Sequence, residues 1–265
     1  MKFVNVKNNH VTLLGLMLYG TVALAFSHAA YALNYFELEV YPYKTAAPGE
    51  VEFENFTSYT RRGSQDLSAP ENNKGLTRST FEVGYGVTKK IEVAGYVDYS
   101  RARGQDDWDL KASRWRARTR FAEKGELPVD LGLYAEVGLP RKGDNDVEFE
   151  LRGIVEKDLG KWTLDVNPIF EKVLKGVEKN AGWELQYAAS AIYRLNERWH
   201  PRLDFFGDFG LLRDFAGRDQ QKHLISPAVD IFFGHGMSAT FGMAYGLTKA
   251  SEQQLVRARF EWEFY

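Results

Sequence analysis

The last segment of the chain, Val256 to Phe264, reads VRARFEWEF and indicates which kind of fold the sequence can form. Every second residue from Val256 is apolar, and each residue between them is arginine or glutamate. A repeat of two residues is the side-chain period of a β-strand, in which successive side chains point to opposite faces. The segment therefore predicts a strand with one apolar face and one charged face.

The same alternation recurs through most of the chain, in segments of about ten residues separated by turn-forming residues. Counting them gives about twelve strands, an even number, as closed bacterial barrels have. Short connections, such as 157–160 and 234–236, alternate with longer polar ones, such as 61–76 and 101–111. Outer-membrane barrels have short periplasmic turns and longer extracellular loops. We therefore predict an all-β fold, a transmembrane antiparallel up-and-down β-barrel, over residues 51–265.

The composition agrees with a barrel that faces lipid. The chain has 18 Phe, 14 Tyr and 6 Trp, yet its mean hydropathy is -0.40. Alternating lipid-facing and lumen-facing residues give this combination, because the two faces cancel in the mean. The formal net charge of -2 and the lack of a basic run argue against nucleic acid as a partner.

The first residues have the features of a secretory signal peptide. Lys2 and Lys7 precede the apolar run VTLLGLMLYGTVALAF, and Ala-Tyr-Ala at 30–32 is a small-residue cleavage site. We predict that residues 1–32 are a cleaved signal peptide, with an uncleaved membrane anchor as the alternative. The expected location is the outer membrane of a Gram-negative bacterium.

The segment that follows, residues 33–50, is harder to place. Tyr35 to Tyr43 alternates like a strand, but a thirteenth spanning strand would make the total odd. The sequence therefore predicts that it lies at the periplasmic mouth or forms a short lead into the barrel.

A second stretch, SRWRARTRF from Ser113 to Phe121, has arginine at every second position. On the lipid face each arginine would cost about 2 to 4 kcal/mol near the membrane midplane, so the arginines should face the lumen. We call these four residues the arginine ladder: Arg114, Arg116, Arg118 and Arg120.

Folding the neighbouring hairpins about their connections gives an expected register for the ladder. The ends of the ladder are expected to pair with four carboxylates: Arg120 with Glu92 and Asp130, and Arg114 with Asp98 and Glu136. Arg116 and Arg118 are expected beside Tyr96 and Tyr134, with no acid at their own depth. Two free guanidinium groups would form an anion-attracting band, since arginine suits carboxylates and phosphates.

The alternative is that the lumen neutralises itself. Many carboxylates share the predicted interior, and long arginine side chains can reach acids across a narrow barrel. On the closing strand, Arg257 and Arg259 are expected beside Glu52 and Glu54. In that case the arginines stabilise the barrel and select no solute.

Three motifs together resemble one family of outer-membrane barrels. They are FELEVYPYKTAAPGEVEFEN at Phe36–Asn55, YGVTKKIEVAGYVDY at Tyr85–Tyr99 and YGLTKASEQQLVRARFEWEF at Tyr245–Phe264. The chain resembles the phenol-degradation meta-pathway barrels, which are described as transporters. The resemblance implies a barrel fold and an outer-membrane location, with a transport role by association.

The C-terminus predicts how the barrel is assembled. Barrel-assembly machinery reads terminal aromatic residues in phase with the lipid-facing side, and Phe260, Trp262 and Phe264 are in phase. Tyr265 lies one residue beyond. The expected partners are this machinery, outer-membrane lipid with lipopolysaccharide, and a small-molecule solute.

We therefore expect a passive channel or transporter for small solutes, with anionic or aromatic solutes as candidates. One alternative is a closed structural or adhesion barrel with a salt-bridged lumen. Another is a lipid-modifying hydrolase, which would need His200, His223 or His235. None of these three has a neighbouring nucleophile motif, so we expect no enzyme activity. No sequence motif indicates a cofactor or a metal site.

Overall fold

The computed structural model describes residues 34–66, 73–141 and 146–265, so the predicted signal peptide lies outside the described residues. The described chain contains thirteen β-strands. Their bounds are β1 Val51–Arg62, β2 Thr77–Gly86, β3 Ile91–Arg101, β4 Asp109–Arg120, β5 Asp130–Pro140, β6 Val147–Leu159, β7 Trp162–Lys175, β8 Glu184–Tyr193, β9 Trp199–Leu211, β10 Asp214–Phe215, β11 Lys222–Gly234, β12 Met237–Gly246 and β13 Gln254–Phe264.

Twelve of these strands form one closed antiparallel barrel. Consecutive strands pair from β1 to β9, β9 continues to β11, and β13 pairs with β1 to close the sheet. The two-residue strand β10 only extends β9 at one end. The predicted all-β barrel of about twelve strands is confirmed. In the part of the chain that the structure describes, no helix is long and apolar enough to cross a membrane.

The connections differ between the two ends of the barrel. One end, which we call the turn end, has tight connections such as 160–161 and 235–236. The other, the loop end, has longer ones such as 63–76, 102–108 and 212–221. This asymmetry is the one that the sequence predicts.

The two faces of the wall differ in polarity, and the charged face points inward. Trp115 is 62% exposed and Val83 is 55% exposed on the outer surface, whereas Arg116 and Glu92 are buried. A soluble protein would bury the apolar face instead. An apolar outer surface around a polar interior is the arrangement of a transmembrane barrel.

The chain reaches β1 through a tight turn at the turn end. Glu50 N donates to Ala47 O, and Gly49 has φ +87°, which favours glycine. The turn packs against the end of β2, since Gly49 N donates to Gly86 O at 2.8 Å and Gly86 N donates to Glu50 O at 3.0 Å. A Cβ on Gly86 would overlap the carbonyl of Ala47. The small residue at 86 therefore lets the turn lie against the wall.

We predict that Gly86→Ala forces this turn away from β2 and lowers the free energy of unfolding by about 1 to 3 kcal/mol, the usual cost of overpacking. Thermal unfolding in detergent measures the change. Gly84→Ala is the matched control on the same strand, because its added Cβ would meet the flexible Glu52 side chain at 3.3 Å. Equal melting temperatures for the two variants would contradict the prediction.

Candidate functional site in the barrel lumen

The lumen of the barrel is occupied by the chain's own residues 34–50, which we call the lumen segment. Tyr35 at the loop end is 6% exposed, and Tyr41 and Tyr43 are each 2% exposed. The Tyr35 hydroxyl accepts a bond from Glu252 N at 3.2 Å. The segment thus crosses the lumen from the loop end to the turn at 47–50.

This placement corrects the expectation of a periplasmic-mouth or lead-in segment for residues 33–50. Only the last part, from Ala46 to the turn, lies at the end of the barrel. The alternation of Tyr35–Tyr43 has a different cause from strand pairing, because the segment faces two unlike walls of the lumen. One wall contributes a cluster of apolar side chains, and the other carries the arginine ladder.

The apolar wall binds the aliphatic side chains of the segment. Leu38 and Val40 are 3% exposed and pack in one buried cluster with side chains from β7 to β13. The other members of this cluster are Tyr35, Ile169, Ala188, Phe206, Leu224, Ala244 and Leu255. The hydrophobic effect therefore holds one side of the segment against the wall.

The charged wall binds Glu37 and Tyr41. Glu37 Oε2 accepts a bond from Arg114 Nη1 at 2.7 Å, and the Tyr41 hydroxyl donates to Glu37 Oε1. The Tyr41 hydroxyl also lies 2.8 Å from that of Tyr96, and the Tyr41 ring lies 4.9 Å from that of Tyr134. Three guanidinium groups lie 4.9 to 5.3 Å from the centre of the Tyr41 ring, those of Arg116, Arg118 and Arg152.

Wall side chains also bind the backbone of the segment. Asn167 makes a two-point contact with Tyr41, accepting from its N–H at 2.8 Å and donating to its carbonyl at 3.1 Å. Glu156 accepts from the N–H of Tyr43 at 2.8 Å. Three further contacts follow the same pattern: Glu92 with Ala46 N at 2.8 Å, Arg257 with Leu38 O at 2.8 Å and Arg152 with Glu39 O at 3.2 Å.

The central arginines of the ladder are paired, so the expectation that Arg116 and Arg118 lack acids is wrong. Arg116 makes salt bridges to Glu82 and Glu92. Arg118 lies 2.7 Å from Glu92. These carboxylates and guanidinium groups are all buried. The ladder therefore contains no free cationic band in this structure.

The reason is the register of the neighbouring strands. Arg118, rather than Arg120, lies opposite Glu92, a difference of two residues from the expected pairing. Glu82 belongs to β2, one strand further away, and reaches Arg116 across β3. Inside a narrow barrel, long side chains can join strands that do not pair. The expected register compared only adjacent strands, so it did not include the contact between Arg116 and Glu82.

The two ends of the ladder behave differently from each other. Arg114 contacts the two carboxylates expected for it, Asp98 at 2.8 Å and Glu136 at 3.2 Å. Arg120 does not contact Glu92 or Asp130. It donates to the carbonyl of Lys89 at 2.7 Å and pairs with Glu123 at 3.0 Å, while Asp130 accepts from Gly125 N at 2.7 Å.

The remaining predicted lumen residues lie inside the barrel with different partners. Arg259 lies 3.5 Å from Glu54, as expected, and 3.3 Å from Glu39 of the lumen segment. Arg257 binds Asp204 and Ser226 rather than Glu52, which is buried elsewhere on the wall. In β13 the expected pairing is wrong by several residues, since Ser58, not Glu52 or Glu54, lies opposite Arg257.

The predicted assembly residues lie on the outer surface or at its edge. Phe260 and Trp262 are exposed there, and the rings of Trp262 and Phe264 are 4.5 Å apart. Tyr265 is 84% exposed beyond the last strand. Recognition of these aromatic residues by assembly machinery stays a prediction.

Hydrogen bonds join three of the loops at the loop end. Gln65 N donates to Lys249 O at 2.9 Å, which joins the loop after β1 to the loop before β13. Lys249 Nζ donates to Asp219 Oδ2 at 2.6 Å, and this hydrogen bond raises the pKa of the Lys249 ammonium. Three loops are therefore tied together above the segment.

The histidines have no arrangement of nucleophile and acid around them in the described chain. His223 lies 3.3 Å from the Tyr187 hydroxyl and 2.9 Å from Gln221, and the His200 ring lies 4.7 Å from that of Phe232. His235 lies in a tight turn with φ +53°. Among residues 34–66, 73–141 and 146–265, no cluster of acids and histidines could hold a metal ion.

The pairing of the ladder predicts a large effect of Arg116→Gln on stability. The substitution leaves the buried carboxylates of Glu82 and Glu92 without their shared cation, so the free energy of unfolding should fall by about 3 to 5 kcal/mol. Thermal unfolding in detergent measures it. Arg120→Gln is the control, because Arg120 pairs with a half-exposed Glu123 and such pairs contribute about 0 to 1 kcal/mol. Equal losses for both variants would contradict the prediction.

No protein-family model matches the chain, and no curated protein matches it either. Among solved structures, it is similar to an outer membrane channel from Pseudomonas putida F1, with a TM-score of 0.60 and 14% identity over 85% of this chain and 100% of that one. It is also similar to the KdgM porin, with a TM-score of 0.54 and 6% identity over 81% of this chain and 99% of that one. The structure of that porin in complex with disordered oligogalacturonate matches with a TM-score of 0.52 and 6% identity, over 82% of this chain and 99% of that one. The chain therefore has the fold of outer-membrane β-barrel channels.

Proposed function

We propose that the protein is a passive channel for small solutes in the bacterial outer membrane, and that the lumen segment closes it in the state described here. The observation that carries the proposal is the polar lumen of a closed barrel, occupied by a segment that belongs to no strand. The similarity in fold to an outer membrane channel and to a porin supports it.

The connection of the segment to the barrel allows it to leave. It is joined to β1 only through the turn at 47–50, and all twelve barrel strands pair without it. Its hydrogen bonds to neutral wall groups are individually worth about 0.5 to 1.5 kcal/mol and those to charged groups about 1.5 to 3 kcal/mol, because water replaces them when they break. Opening therefore exchanges segment contacts for water and leaves the sheet intact.

The charges of the lumen affect which solutes an open channel would pass. Anionic and aromatic solutes are the candidates from the sequence, but both central arginines are paired with carboxylates. Among the described residues, the buried charged side chains comprise eighteen carboxylates and seven arginines. For small inorganic ions we therefore propose that an open lumen favours cations, since rings of carboxylates select cations.

The alternative functions predict different results when the lumen segment is changed. A closed structural or adhesion barrel would stay closed whatever happens to the segment. A hydrolase would need one of the three histidines, and their neighbours do not favour it. The resemblance to the phenol-degradation meta-pathway family agrees with a transport role and stays a prediction.

We predict that replacing residues 34–46 by glycine and serine, at unchanged length, opens the barrel. Single-channel conductance in planar bilayers should rise from near zero to a stable open level, because the replaced segment loses its anchoring side chains. Heat-modifiable migration on gels shows whether the barrel is folded. As a control, the same replacement of loop residues 216–220 leaves the segment in place and should conduct like the native chain. A folded but silent replacement variant would favour the closed structural barrel.

We predict a cation preference for this open variant. In a KCl gradient the reversal potential should have the sign of a cation-selective pore, because carboxylates outnumber arginines in the lumen. Adding Arg116→Gln and Arg118→Gln should strengthen the preference, since Glu82 and Glu92 lose their counter-charges. Anion preference that disappears in the double glutamine variant would instead support the arginine band predicted from the sequence.

A further inference from the structure

The contacts between the wall and the lumen segment also bear on which ligands an open lumen could bind. The wall binds the segment largely through its backbone, and a backbone is common to all peptides. Asn167 satisfies both the N–H and the carbonyl of one residue, Tyr41. A planar amide that pairs with both backbone groups of one residue is complementary to an extended chain of any sequence.

Other wall groups also bind the backbone of the segment, some as hydrogen-bond acceptors and some as donors. Carboxylates of Glu92 and Glu156 accept from backbone N–H groups, and Arg152 and Arg257 donate to backbone carbonyls. The Ser58 hydroxyl donates to the Tyr35 carbonyl at 3.0 Å, but residues 35–37 form a turn, so the part of the path that fits an extended peptide lies beyond Leu38. An extended peptide presents N–H donors and carbonyl acceptors in alternation, so a wall with groups of both kinds fits it. A simple anion would use only the donors.

The wall groups are also held in position without the segment. Arg152 Nε donates to Glu150 at 2.8 Å, and Arg257 Nε donates to Ser226 at 2.9 Å. A site whose side chains are fixed by neighbouring wall residues loses little entropy when a ligand enters.

We propose that the open lumen binds short extended peptides along the path of the lumen segment, and that such peptides are a solute class of this channel. The inference rests on the proposed function, because the segment must first leave. The segment then acts as an internal competitor that occupies the peptide path, and Asn167 is the central backbone-reading residue.

The test uses the chain in which glycine and serine replace residues 34–46. Its probe is acetyl-Ala-Ala-Tyr-Ala-Ala-amide, added to single channels in planar bilayers. The expected result is concentration-dependent block. A second peptide, methylated on the tyrosine backbone nitrogen, lacks the N–H that Asn167 would accept from, and its half-blocking concentration should be about fivefold higher. A poly(ethylene glycol) of the same length, which has no N–H donors, should block far less.

Two substitutions test whether Asn167 causes the difference in block between the two peptides. Asn167→Leu should abolish the difference between the two peptides, because nothing at that position then reads the N–H group. Gln186→Leu is the matched control, since Gln186 is a buried amide on the neighbouring strand β8 that bonds to Glu171 at 2.9 Å. The difference between the peptides should persist there. Equal block by both peptides in the unsubstituted lumen, or equal block by the polymer, would overturn the inference.

A measurement independent of conductance separates this inference from the proposed function. The unmethylated peptide should raise the melting temperature of the replacement variant more than the methylated peptide does. If that variant is folded but silent, the channel proposal fails while the melting experiment still decides on peptide binding. If it does not fold, the full chain with Glu37→Gln and Tyr41→Ala, which loses the ring packing and the Arg114 ion pair, is measured with the same peptides. No difference between the peptides in that chain would also overturn the inference.

Discussion

The structure depends on one constraint, which is that charges turned away from lipid must find partners inside a narrow lumen. An arginine facing lipid would be costly, and an arginine facing inward without an acid would be nearly as poor a solution. Arg116 meets the requirement with Glu82 and Glu92, and Arg114 with Asp98 and Glu136. The inside-out polarity of the barrel and the pairing of its interior therefore have the same origin.

The lumen segment adds its own carboxylates to this pairing. Glu37 adds a third carboxylate to Arg114, and Glu39 adds a third to Arg259, beside Glu54 and Glu261. On the opposite wall, Leu38 and Val40 cover apolar side chains that would otherwise face water inside the barrel. A single alternating segment thus satisfies both walls, which explains why it reads like a strand although it joins no sheet.

The sequence was sufficient for the barrel because a period of two is a local property. VRARFEWEF in β13 shows its two faces without reference to any other strand, and the alternation of short and long connections adds the topology. The lumen needed more than local information. The partner of Arg116 depends on a register two residues from the expected one and on Glu82, which belongs to a strand that does not pair with β4. The path of Tyr35–Tyr43 depends on the shape of a lumen that exists only after closure.

The nature of the lumen also limits which solutes can use it. A wall that carries only cations would concentrate anions, but here the path between Arg257 and Glu92 carries both donors and acceptors, and the lumen segment uses both kinds. A ligand that replaces the segment must supply both donors and acceptors or leave buried polar groups unpaired, at a cost of about 1 to 3 kcal/mol each. Peptide backbones meet that requirement along their whole length, whereas a small anion meets it only at its charged end. Closure by a segment of the chain and selection of a solute are then two uses of one set of wall contacts.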